Sequence, residues 1–124
     1  MKNVKCFDFL LLGPPLAPKS LRVIEADSSH MVLEWETPQG DGGSPITGYS
    51  IEKRDAKRDE FTHVANVDAR TSKFKVTRLF EGTDYYFRVF AENLAGLSPP
   101  CTTEQPVRAK PPYGKKIWIS VVKL

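Results

Sequence analysis

Apolar and polar residues alternate one by one along much of this chain. Met31, Leu33 and Trp35 take turns with Val32, Glu34 and Glu36. That period of two puts one set of side chains on a buried face and the other in water, as in a half-buried strand. Leu21 and Val23, Tyr49 and Ile51, and Phe74 and Val76 repeat the pattern in shorter runs, and residues 61–67 carry a weaker version. The longest run sets Tyr85, Phe87, Val89 and Ala91 against Tyr86, Arg88, Phe90 and Glu92. A last strand, from Leu97 to Val107, is interrupted by Pro99 and Pro100, which lack the amide a central strand needs and so belong on an edge. Turn residues separate the runs every 8–12 residues or so, and no stretch has a helical period. The pattern predicts an all-β fold of seven short strands in two antiparallel sheets packed face to face. Its interior is expected to hold Leu21, Val23, Leu33, Trp35, Tyr49, Ile51, Phe74, Val76, Leu79, Tyr85, Phe87 and Val89.

One turn invites a chemical reading. The stretch TPQGDGGSPITGY places Gly40, Asp41, Gly42 and Gly43 together, and glycine-rich loops often cradle phosphate. A P-loop needs a lysine directly after its last glycine, and a dinucleotide loop needs a helix there, with its free amides on the phosphate. Here Ser44 and Pro45 follow, and then a strand. The loop is therefore read as the turn between the Trp35 and Tyr49 strands, with protein docking as the only function left to it. No cofactor is expected. His30 and His63 have no metal spacing, the serines lack a nucleophile-elbow context, and Glu34 and Glu36 share the outer face of one strand. No catalytic or metal-binding set emerges, and the chain is read as a non-enzyme.

The motifs, taken in order, resemble a family. Leu33-Glu34-Trp35, then residues 42–49 (GGSPITGY), then Leu79-x-Glu81-Gly82-Thr83-x-Tyr85-x-Phe87-Arg88-Val89, and Ala91-Glu92-Asn93 before Ala95-Gly96 resemble a fibronectin type III domain over roughly residues 15–112. The resemblance implies an immunoglobulin-like β-sandwich. Leu79 and Tyr85, six apart, match that family's tyrosine corner, where a phenol hydroxyl bonds to upstream backbone. Trp35, Tyr49, Leu79, Tyr85, Phe87 and Val89 are the residues expected to hold the fold together. DGGSPITGY, IEKRD, EGTDYYFRV and AENLAG further resemble the domains of the titin, twitchin and projectin family of giant muscle proteins. That implies a structural and protein-interaction module, a spacer that docks and bears force in a tandem array within the sarcomere. Its implied partners are adjacent immunoglobulin-like and type III domains and thick-filament proteins. Phe61 departs from the sub-family, which usually has tryptophan there, and a packing adjustment is expected.

Composition narrows the alternatives. The net charge of +3, from 18 basic and 15 acidic residues, is too small for a nucleic-acid face. The run Glu52–Glu60 holds four cations and four carboxylates and reads as a solvated edge. Cys6 and Cys101 are read as free thiols in a reducing compartment, and no N-x-S/T acceptor occurs. Asp8 interrupts the apolar run near the N-terminus, and no stretch approaches a membrane span of ~20 apolar residues. A cytoplasmic, monomeric module with no membrane or nucleic-acid partner is expected. The alternative is an extracellular type III module of an adhesion protein or receptor. Residues 1–14 are read as a linker or a non-native extension, 15–112 as the domain, and 113–124 as a C-terminal extension in which Trp118 is exposed or loosely docked.

Overall fold

The computed structural model describes residues 12–112. Its elements are β1 (Lys19–Ala26), β2 (Met31–Glu36), β3 (Gly48–Asp55), β4 (Thr62–Asp68), β5 (Lys73–Val76) and β6 (Asp84–Asn93), followed by β7 (Gly96–Leu97), β8 (Cys101–Thr102) and β9 (Val107–Arg108). One sheet has the order β1-β2-β5; the other runs β4-β3-β6 and continues to the last three pieces, all of which pair with β6. Every pairing is antiparallel. The chain changes sheet between β2 and β3, between β4 and β5, and between β5 and β6, so the two layers are stitched together and close on one core. The expected seventh strand is three short pieces, because Pro99 and Pro100 stand between β7 and β8 and Pro106 directly precedes β9.

The core is largely where the alternation put it, with three residues added and three only partly buried. Leu33, Trp35, Tyr49, Ile51, Val76, Leu79, Tyr85, Phe87 and Val89 are buried, and Met31, Ala91 and Ala109 join them. Leu21, Val23 and Phe74 are only partly buried against this cluster. All three lie on the outermost strands of the first sheet, and β1 slips register twice against β2, between Lys19 and Arg22 and between Val23 and Glu25. Such slips turn side chains away from a single face. Trp35 on β2 meets Tyr49 on β3 edge-on, with ring centroids 5.5 Å apart, which locks one sheet against the other. Full burial of a side chain such as Phe87 contributes about 1.5–3 kcal/mol, so these contacts are the main stabilising force.

Candidate functional site

The expected corner has a definite geometry. The Phe80 amide donates to the Tyr85 hydroxyl at 2.9 Å, and the Leu79 amide donates to the Ser29 carbonyl at 2.9 Å. The first bond pins the crossing between β5 and β6 to β6, and the second ties it to the turn between β1 and β2, with the buried Leu79 and Tyr85 side chains beneath them. Gly82 closes the corner with a φ of 87°, a left-handed value that costs glycine nothing. Its amide donates to the Ala109 carbonyl at 2.7 Å, which brings the end of the domain to this pole.

The opposite pole holds the glycine loop. The Gly13 amide donates to the Gly42 carbonyl at 3.0 Å, and the Leu16 amide donates to the Gly40 carbonyl at 2.9 Å. A Cβ on Gly42 would sit 2.1 Å from the Gly13 carbonyl oxygen, so a side chain there would push the lead-in segment off the domain. The buried Asn93 secures the arrangement: its amide nitrogen donates to Gly13 O at 2.9 Å and to Asp41 O at 2.7 Å. Its carbonyl oxygen meanwhile accepts from the Ala95 and Gly96 amides. Asp41 caps its own turn by accepting from the Gly43 amide at 2.9 Å. Asp41 and Gly43 remain exposed, whereas Gly40 and Gly42 are half covered by the segment they hold.

Two further features lie on the sheet containing β3 and β6. On its outer face Arg54 sits over the rings of Tyr86 at 4.5 Å and Phe61 at 5.3 Å. Arg88 lies over Phe61 at 4.0 Å and Phe90 at 5.1 Å, and pairs with Glu52 at 2.7 Å. The Glu52–Glu60 run is thus only partly a solvated edge, since Glu52 and Arg54 are locked into this ladder of cations and rings. Phe61 makes its contacts on that ladder, and contacts of this kind contribute about 0.5–1 kcal/mol each where exposed. At the exit pole Arg108 binds Asp84 through two bonds, at 2.9 and 3.1 Å, and holds the Asp84 carboxyl below its ordinary value. Asp68 is also lowered, first by the Thr71 hydroxyl and then by the Arg70 amide, both of which bond its carboxylate. Burial raises the Tyr49 phenol.

His30 and Glu25 form a pair at 2.8 Å, and His63 is exposed on β4. Among the described residues no three His, Cys, Asp or Glu side chains gather as a metal-holding group, and no helix is long and apolar enough to cross a membrane. Cys101 is a free, half-buried thiol. Cys6, the N-terminal run, Trp118 and the C-terminal extension lie outside the described residues.

The fibronectin type III family model matches residues 16–106. This chain belongs to the fibronectin type III family. As a type III domain it is 42% identical over 93 residues to titin of Drosophila melanogaster, an alignment covering 75% of this chain and, to the nearest per cent, 0% of that protein. It is 38% identical over 95 residues to slow-type myosin-binding protein C of Homo sapiens, covering 77% of this chain and 8% of the relative. Among solved structures, the titin domains A168-A170 superpose with a TM-score of 0.73 at 36% identity, over 78% of this chain and 32% of that one. The twitchin kinase region of C. elegans does so with a TM-score of 0.73 at 34% identity, over 78% and 17%. The chain thus spans less than a tenth of the curated relatives it matches, and those relatives are titin-like and other muscle proteins.

Proposed function

We propose that this type III domain is a spacer, docking and force-bearing module in a tandem array of a titin-like sarcomeric protein. The observation that carries the reading is the placement of its two ends. The lead-in is bonded to Asn93, the last residue of β6, and the exit is bonded to Asp84, the first. Those anchors are the two ends of a ten-residue extended strand, so the domain holds entrance and exit about 30 Å apart along it. A module with ends at opposite poles transmits tension through its length, and strand hydrogen bonds resist it together.

Each pole also presents an apolar side chain to water. Leu94 is 87% exposed beside the lead-in and Phe80 is 76% exposed at the exit corner. In an array these are the positions that neighbouring domains cover. The Gly40–Gly43 loop then acts where a preceding domain joins: it fixes the linker through Gly40 and Gly42 and leaves Asp41 and Gly43 to touch the neighbour. The relatives in muscle proteins support the sarcomeric setting, with adjacent immunoglobulin-like or type III domains and thick-filament proteins as partners. The test is the native transcript on either side. Immunoglobulin-like and type III domains there support the array, and a membrane-spanning segment beside the domain contradicts it.

A further inference from the structure

The sandwich is open along one side, where β4 and β5, the outer strands of their sheets, run past each other. Between them lies a cleft of about 330 Å³ lined by Lys53, His63, Val64, Phe74, Lys75, Thr77 and Arg78. That size suits a few side chains rather than a single ion. Its charge is one-sided: three permanent cations line it and no carboxylate does. A smaller cleft at the exit pole differs in this respect, since Asp55 and Asp84 there offset Lys57 and Arg108.

The three cations share a further property. Among the described residues none of Lys53, Lys75 and Arg78 takes part in an ion pair, whereas Arg22, Arg88 and Arg108 each do. Lys53 occupies the inward register of β3, directly after Tyr49 and Ile51, and pairs across with the buried Phe87. Lys53 is half-buried in line with the core and has no carboxylate beside it in the cleft, so an incoming carboxylate would meet an unpaired cation. Arg78 has a φ of 60°, a left-handed value that disfavours every side chain with a Cβ. Glycine would relieve that strain. His63 also lines the cleft, with its Nδ1 3.5 Å from Ser50 Oγ.

We propose that this cleft binds a short acidic segment of a partner protein, its carboxylates meeting Lys53, Lys75 and Arg78 and an apolar side chain seated against Val64 and Phe74. The charge complementarity sets the sign of the ligand. The outer edges of β4 and β5 set its form, because unpaired strand edges accept an extended peptide through backbone hydrogen bonds. The inference rests on the chain being a protein-interaction module, but not on its belonging to an array. Flanking sequence that contradicts the array therefore leaves it untouched.

The experiment is a fluorescence-anisotropy titration of the full chain with a short labelled peptide of alternating glutamate and leucine, followed by amide chemical-shift mapping. Binding at low salt, weakened in about 0.5 M salt as exposed charges are screened, is expected. The glutamine counterpart should bind at least about tenfold more weakly if its loss sums over several pairs. Lys53→Gln, Lys75→Gln and Arg78→Gly should each weaken binding by about two- to fivefold, as for exposed ion pairs. Lys57→Gln, outside the cleft, should not. Arg78→Gly should also unfold at or above the wild-type midpoint, since it relieves the left-handed strain, which separates loss of the cation from loss of the fold. Equal affinity for the glutamine peptide, an unchanged triple variant, or shifts that map away from β4 and β5 would overturn the proposal. So would a sulfated oligosaccharide that binds through these residues while the peptide does not.

Discussion

Removing one oxygen atom from Tyr85 tests the corner with little other disturbance. Tyr85→Phe keeps the ring that packs at 6.2 Å from Phe87 and leaves no cavity in the core. What it removes is the acceptor for the Phe80 amide, a 2.9 Å bond in a part-buried setting. The net value of such a bond is about 0.5–1.5 kcal/mol, and an amide left without a partner costs about 1–3 kcal/mol. The expected loss is therefore about 1–3 kcal/mol. For a domain near 100 residues, each kcal/mol moves Tm by about 4–8 °C. Tyr49→Phe is the matched control, because the Tyr49 hydroxyl is buried and has no partner among the described residues. Its loss should be neutral or mildly stabilising. Equilibrium urea unfolding followed by far-UV circular dichroism reads both variants, with an unchanged m-value showing that only stability moved. If Tyr85→Phe unfolds at the wild-type midpoint while Tyr49→Phe is the costlier change, the corner is not held by this bond.

Three further outcomes follow from the geometry. Gly42→Ala places a Cβ against the Gly13 and Pro14 carbonyls and should cost about 2 kcal/mol or more in urea unfolding, with the lead-in displaced. Gly82→Ala has a similar φ but open space around it, so only the left-handed penalty of about 1–2 kcal/mol applies. Asp84→Asn should flatten the acid limb of the stability profile. The Asp84 pKa is lowered by Arg108 from its ordinary 3.8, so its contribution is complete above that value and fades as pH falls through the lower folded one. A midpoint-against-pH series in which wild type and Asp84→Asn lose stability in parallel below about pH 4 would refute that assignment.

The strands and most of the core were legible because a half-buried strand writes its two faces directly into alternating residues. That code is weakest at edges. Leu21 and Val23 alternate well but sit on β1, whose register slips leave them half-buried. The break in the last strand was readable at Pro99 and Pro100, since proline removes the ladder donor. Asn93 was not readable as an anchor. An asparagine in a turn suggests local bonding, and nothing in its neighbourhood indicates a contact with Gly13, 80 positions away. The loop's glycines are legible as turn residues, but the close approach of another backbone to Gly42 is not, because the segment at Gly13 and Pro14 is distant in sequence. The basic cleft was hidden for a different reason. Lys53 lies in a run whose charges cancel in sequence, while Lys75 and Arg78 arrive from a different strand and its following turn.

Pulling single molecules from their two ends shows whether the module carries tension between anchors at opposite ends of β6. One all-or-none unfolding event is expected. Releasing the roughly 90 folded residues, less the ~30 Å already spanned, should lengthen the tether by between about 270 and 300 Å. Unfolding through several smaller steps, or gradual yielding without a cooperative event, would contradict it.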